Sequence, residues 1–220
     1  MAVLLDALGT LVRLEPPAPR LVALLADEGF RVDEERTGAA FRAEIAYYLD
    51  HHLDGATPEG LDDLRDRCAR VLSEALALDG LTHAAARRGM LASLSFSPYP
   101  DALPALRELR GRGERLVICS NWDRSLPDWL AGSGLLELVD GVVTSADAGS
   151  AKPDPRIFAR ALELAGASAG SSVHVGDSPG KDVEGARRAG IRPVLVARDG
   201  APRAAGVESI ATLAELPALV

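Results

Sequence analysis

Cysteine is scarce in this chain: Cys68 and Cys119 are 2 residues in 220, too few for a disulfide framework. The chain opens on the apolar run Val3-Leu4-Leu5, not on a basic and apolar leader. Both features predict a protein of the reducing cytoplasm. No apolar stretch approaches the ~20 residues needed to cross a bilayer, so no membrane span is expected. Positive charge is in deficit, with 24 Lys and Arg against 32 Asp and Glu, a net charge of -8 and a pI near 5.1. Phosphate backbones and anionic bilayers attract basic surfaces, so neither nucleic acid nor membrane is expected as a partner. A small anionic substrate stays compatible, because the local charge of a site can oppose the global balance. Internal repeats and low-complexity tracts are missing too. What remains is 47% hydrophobic, enough to bury a core in one large domain or in a domain with a sizeable insertion.

Two kinds of pattern fill the chain. Short, largely apolar runs at residues 115–119, 141–144, 172–175 and 193–197 alternate with helical patterns at 101–112, 125–131, 154–165 and 182–189. Such alternation predicts an α/β fold with a parallel sheet covered on both faces. Residues 209–213 read as an edge strand running into a closing helix. Between the first strand and this series, Glu15-Pro16-Pro17-Ala18-Pro19 predicts a stiff connector outside any helix. From Arg20 to about Leu94 apolar residues recur at helical spacing, as in Leu61, Leu64, Cys68, Val71, Leu72 and Leu76. That block predicts about four or five helices inserted into the α/β core, one of them starting at Thr57-Pro58.

In a parallel sheet the residues just past the strands' carboxyl ends converge on one crevice. Here they are Asp6, then Ser120-Asn121, then Lys152, then Asp177 with Asp182. A carboxylate such as Asp6 can attack phosphorus if a cation screens the repulsion between the two. Ser120 and Lys152 would donate to the phosphoryl oxygens, and Asp6, Asp177 and a backbone carbonyl would offer oxygen ligands to a divalent cation. Taken singly, each residue has a plainer reading. Asp6 and Ser120 can be caps, Lys152 a solvated surface lysine, and Asp177 and Asp182 a turn residue and a helix N-cap. Their joint occurrence at one sheet edge favours the chemical reading.

The same residues resemble the motifs of the haloacid dehalogenase superfamily. Asp6-Ala7-Leu8-Gly9-Thr10 is similar to its first motif, Asp-x-Asp-Gly-Thr, and Ser120 after Leu116-Val117-Ile118-Cys119 to its second. Lys152 in Lys152-Pro153-Asp154-Pro155 resembles the third, and Gly176-Asp177 with Asp182 the fourth. The resemblance implies a Rossmann-like, three-layer core at residues 1–13 and 96–220, with residues 14–95 as an all-helical cap. It also implies catalysis by Asp6 and Lys152 through an aspartyl-phosphate on Asp6, with Thr10, Ser120, Asn121 and Lys152 around the phosphoryl group of a small phosphorylated metabolite. Mg²⁺ would be held by Asp6, the main-chain carbonyl of Leu8 and Asp177, with Asp182 assisting directly or through water.

One position departs from the pattern. Leu8 stands where the family's phosphatases carry their second aspartate, the general acid and base, a function typically worth about 10² to 10⁴ in rate. The favoured expectation is a Mg²⁺-dependent hydrolase of phosphatase type with an altered proton-transfer step. The alternatives are a metal-independent 2-haloacid dehalogenase, a branch that also lacks that aspartate, and a non-catalytic binding protein that keeps the fold. Tyr47, Tyr48, His51 and His52 read either as substrate contacts or as a solvated helix end. His174 is expected to be packed, and Trp122, Asp123 and Trp129 to shape a pocket rim or an interface.

Overall fold

The computed structural model describes residues 1–198 and 206–220. In chain order the strands are β1 (Ala2–Leu5), β2 (Val12–Leu14), β3 (Phe96–Pro98), β4 (Arg115–Ser120), β5 (Gly141–Thr144), β6 (Ser172–Gly176), β7 (Arg192–Val196) and β8 (Glu208–Ile210). The helices are α1 (Pro17–Asp27), α2 (Glu34–His51), α3 (Pro58–Leu76), α4 (His83–Ser93), α5 (Ala102–Gly111), α6 (Leu126–Leu130), α7 (Ser145–Ala148), α8 (Pro155–Ala165) and α9 (Glu184–Arg188). The chain divides into two compact units, Met1–Arg13 with Ser97–Val220, and Leu14–Phe96. Among the described residues no helix is long and apolar enough to cross a membrane.

The first unit is built on a six-stranded sheet of order β5-β4-β1-β6-β7-β8, with every pair parallel. All of β1 is buried because both of its faces are covered, which is why its residues do not alternate in polarity. Ala2 and Leu4 pack with Val117, Cys119, Phe158 and Ala186 under α8 and α9, while Val3 and Leu5 point the other way along the pleat and are equally buried. The chain runs from β1 to β4 and β5 on one side, then returns to β6, β7 and β8 on the other. Strand order therefore reverses at β1, where Leu5 pairs with both Ile118 and Val175. A reversal of this kind opens a crevice at the carboxyl end of the central strand.

One helix of this unit begins differently from expectation. Residues 179–183 form a wide π-type turn, and α9 starts only at Glu184. The Ser178 carbonyl accepts from both the Asp182 and Val183 amides (2.9 and 3.2 Å), and the Asp182 carboxylate reaches back to the Ser178 amide at 2.9 Å. Asp182 is therefore carried inside the turn, not at a helix N-cap.

The second unit holds α1 to α4 and a 3₁₀ turn at His52–Ala56. Its core gathers Leu21, Leu25, Phe41, Leu64, Cys68, Leu72 and Met90. Thr57 caps α3 by accepting from the Gly60 amide, with Pro58 at the first helical position. The connector expected at 15–19 is a correction: α1 already starts at Pro17. Prolines are tolerated in a first turn because the amides they lack would have no intrahelical acceptor there.

A carboxyl lies in this core as well. Glu44 is only 5% exposed. Burial pushes it up to about 7, against a hydrogen bond with Cys68 that works the other way. Between the ordinary value of 4.5 and 7 the folded carboxyl keeps a proton that the unfolded chain has released, so stability falls as pH rises through that window. The full cost, about 3 kcal/mol, is present above pH 7 and absent below the unfolded value. Glu44→Gln should raise the urea midpoint of this unit at pH 8 and leave it nearly unchanged at pH 4.5. An equal effect at both pH values would show that ionisation is not the cause.

Candidate active site

Asp6 is the first residue past β1, and its amide extends the sheet by donating to the Val175 carbonyl at 2.9 Å. Its side chain thus emerges at the strand reversal, where it is 6% exposed. Ser120, the last residue of β4, donates from Oγ to Asp6 Oδ1 at 2.8 Å, and Lys152 donates from Nζ to the same oxygen at 2.6 Å. Lys152 is 4% exposed, so it is no surface lysine. Its ammonium also donates to Asp182 Oδ1 at 2.6 Å.

The Lys152 main chain is held separately. Asn121 Oδ1 accepts from the Lys152 amide at 2.7 Å and Asn121 Nδ2 donates to the Lys152 carbonyl at 3.0 Å. Asn121, expected at the phosphoryl group, instead engages both ends of its amide on the lysine's backbone. It latches the end of β4 to the loop that carries Lys152.

The turn after β1 is wound on one carbonyl. The amides of Thr10, Leu11 and Val12 converge on Ala7 O at 3.3, 2.8 and 2.9 Å, and among the described residues none of the turn's amides takes the Leu8 carbonyl. Gly9 has φ +84°, and a Cβ there would overlap the Asp177 carboxylate, so glycine both makes the turn and admits Asp177. The Leu8 side chain is 40% exposed. Thr10 is buried; its carbonyl accepts from Arg198 Nη2 at 2.8 Å, and its Oγ1 has no partner among the described residues.

Charge in the cluster is uneven. Burial raises Asp6, with Lys152 opposing and Asp182 adding to the rise. Partial desolvation, then the Asp6 and Asp182 carboxylates, push Asp177, the more exposed member, up to about 6. Burial alone would raise Asp182, but Lys152 and His174 overcome it and hold Asp182 ionised. Burial works against the Lys152 ammonium, and Asp182 and Asp6 more than compensate, so it stays charged. Three carboxylates therefore surround one ammonium. Asp6, Asp177 and Asp182 each offer an oxygen within 4.8 Å of the others, and an all-oxygen set with excess negative charge fits a hard divalent cation.

Tyr47 stacks on His51 at 4.0 Å and accepts from Arg67 at 2.9 Å, and His52 is buried, while Leu49 and Asp50 beside them are exposed. Trp122 is buried in the first unit and Trp129 donates to Ser125 Oγ at 3.1 Å. Two contributors were not anticipated. Arg198 pairs with Asp101 at 2.9 and 3.1 Å, lies over Tyr99 at 3.8 Å and thereby fixes the Thr10 carbonyl. His174 touches Asp182 at 2.9 Å, and the signal for it was a polar ring at the centre of an otherwise apolar strand.

A family model described as haloacid dehalogenase-like hydrolase matches residues 1–190. The chain is similar to the haloacid dehalogenase-like hydrolase domain-containing protein 3 of Bos taurus, 50% identical over 92 residues that cover 42% of this chain and 37% of that one. It is also similar to a phosphoserine phosphatase of Thermus thermophilus, 42% identical over 104 residues, 46% of this chain and 41% of that one. The match thus spans less than half the length of either relative. Among solved structures, a HAD phosphatase from Thermococcus onnurineus superposes with a TM-score of 0.66 at 28% identity, covering 99% of this chain and 96% of that one.

Proposed function

This chain belongs to the haloacid dehalogenase-like hydrolase family, and from that premise we propose that it is a Mg²⁺-dependent phosphatase-type enzyme acting on a small phosphorylated metabolite through Asp6. The observation that carries the reading is the double donation to Asp6 Oδ1, from Ser120 at 2.8 Å and Lys152 at 2.6 Å. The same two donors, being next to Asp6, would serve the oxygens of a phosphoryl group bound there. The phosphoserine phosphatase relative supports the same chemistry.

Asp6 attacks phosphorus, an O–P bond forms on its carboxylate, and the bond from phosphorus to the leaving oxygen breaks. Water then attacks the aspartyl-phosphate, releasing phosphate and restoring Asp6. Lys152 and Ser120 hold the phosphoryl oxygens through both steps. Asp6, Asp177, the Leu8 carbonyl and Asp182, whose Oδ2 keeps a lone pair beside the Ser178 amide, would hold Mg²⁺. Bound there, Mg²⁺ supplies the charge screening that an anionic nucleophile and an anionic substrate require. Leu8 offers no proton, so the leaving group departs as an anion or is protonated by solvent at this open position. The chain's own residues therefore favour substrates whose leaving group is a weak base. A metal-independent dehalogenase fits less well, because three carboxylates around one ammonium repel a haloacid's own carboxylate.

Phosphate release from a panel of aryl, acyl and alkyl phosphates should require Mg²⁺, stop with excess chelator and return on Mg²⁺ addition. Activity indifferent to chelation, or halide release from a 2-haloacid under chelation, would overturn the reading. Gly9→Ala should weaken Mg²⁺ binding about 10- to 100-fold by calorimetry, since the new methyl group displaces Asp177. Unchanged affinity would remove Asp177 from the cation's ligands.

A further inference from the structure

Strand β6 reads Ser172-Val173-His174-Val175-Gly176 and is buried at every residue. An imidazole in the middle of such a strand is costly unless its ring nitrogens find partners. The His174 ring meets Phe158 edge-on at 4.9 Å, and its Nε2 lies 2.9 Å from Asp182 Oδ1, the oxygen that also accepts Lys152 Nζ at 2.6 Å. Nδ1 has no partner among the described residues. Facing an ionised carboxylate, Nε2 carries the proton, and a second proton on Nδ1 would be buried without an acceptor. Burial favours the neutral ring as well. The geometry thus assigns the neutral Nε2–H tautomer.

Resting on the phosphatase reading above, we propose that His174 is a positioning residue: by donating to Asp182 Oδ1 it sets the carboxylate that aims the Lys152 ammonium at Asp6. Three donors fix Asp182, namely His174 and Lys152 on Oδ1 and the Ser178 amide on Oδ2 at 2.9 Å. His174 and Gly176 lie two apart on β6 and so share a face, and a Cβ at residue 176 would overlap the Asp182 carboxylate. Glycine thus makes the seat and histidine supplies the tether. The His174 donor also shares the charge of Oδ1, so that Lys152 divides between Asp182 and Asp6 and is not captured by Asp182 alone. Without the tether the carboxylate turns on its own rotamer and carries the ammonium with it. His174 itself touches neither Asp6 nor Lys152 through a hydrogen bond; its effect passes through Asp182.

The test compares His174→Leu, which removes the donor, with His174→Gln, whose side-chain amide restores an N–H near the Nε2 position. With Mg²⁺ and an aryl phosphate, His174→Leu should lose about 10- to 100-fold in kcat with KM little changed, and His174→Gln should recover most of the loss. A folded leucine variant with the parent's kcat, or a folded glutamine variant no better than leucine, would overturn the proposal. A second readout needs neither turnover nor the leucine variant. The chain's lysines are Lys152 and Lys181, and Lys181 is exposed, so ¹⁵N labelling resolves the Lys152 ammonium directly. The parent should show a slowly exchanging Lys152 ammonium and a His174 ring that carries its proton on Nε2. A His174 proton on Nδ1, or a Lys152 signal that exchanges as fast as that of Lys181, would overturn the tether even in an active phosphatase. Both expected signals in a protein that releases no phosphate would support the tether and overturn the phosphatase reading.

Discussion

Asp6→Asn should lower turnover of every phosphate substrate by at least about 10³-fold, because the amide cannot form the acyl phosphate that the proposed mechanism requires. The variant should still fold. Its amide oxygen can accept from Ser120 and Lys152 as Oδ1 does, and the buried ammonium retains Asp182 at 2.6 Å, so no charge is left unpaired. Loss of the Asp6 charge should also let the Asp177 carboxyl fall from about 6, since Asp6 is one of the groups that raise it. The measurements are phosphate release and acid-quenched capture of the phosphorylated chain, expected on the parent and missing from the variant. Turnover that survives the substitution would place the chemistry on another residue.

Leu8→Asp should act in the opposite direction. A carboxyl at this position can protonate a departing alkoxide and later take a proton from the attacking water, so turnover of alkyl phosphates should rise by about 10² to 10⁴. Aryl and acyl phosphates, whose leaving groups need no proton, should change little. The side chain is 40% exposed, which makes the exchange inexpensive for the fold, and the backbone carbonyl stays where it is. Three carboxylates nearby would raise the pKa of the new one, as an acid working near neutral pH requires. The check is the dependence of kcat/KM on leaving-group basicity, steep in the parent and shallow in the variant. A variant as slow as the parent on alkyl phosphates would mean that the missing proton donor does not limit this enzyme.

The α/β alternation was legible because uniformly apolar runs such as Val194-Leu195-Val196 and amphipathic runs such as residues 155–165 have different periods, and period reports locally which faces are covered. Strand ends were legible for the same reason, so Asp6, Ser120, Lys152, Asp177 and Asp182 could be grouped before any distance was known. Not legible was the use each side chain makes of its neighbours. Asn121 turns to a lysine backbone 31 residues away, Arg198 reaches a carbonyl 188 residues away, and Asp182 folds back inside a wide turn that no spacing announces.

The sequence by itself determined the layered parallel sheet, the helical insertion and the set of polar residues at the strand ends, all of which follow from residue type and local period. Only the tertiary structure decided that Lys152 is buried between Asp6, 146 residues away, and Asp182, and that His174 reaches the same carboxylate. Burial and partner choice are set by which segments the reversal of strand order at β1 brings side by side, and that proximity in space is not written in any one stretch of chain.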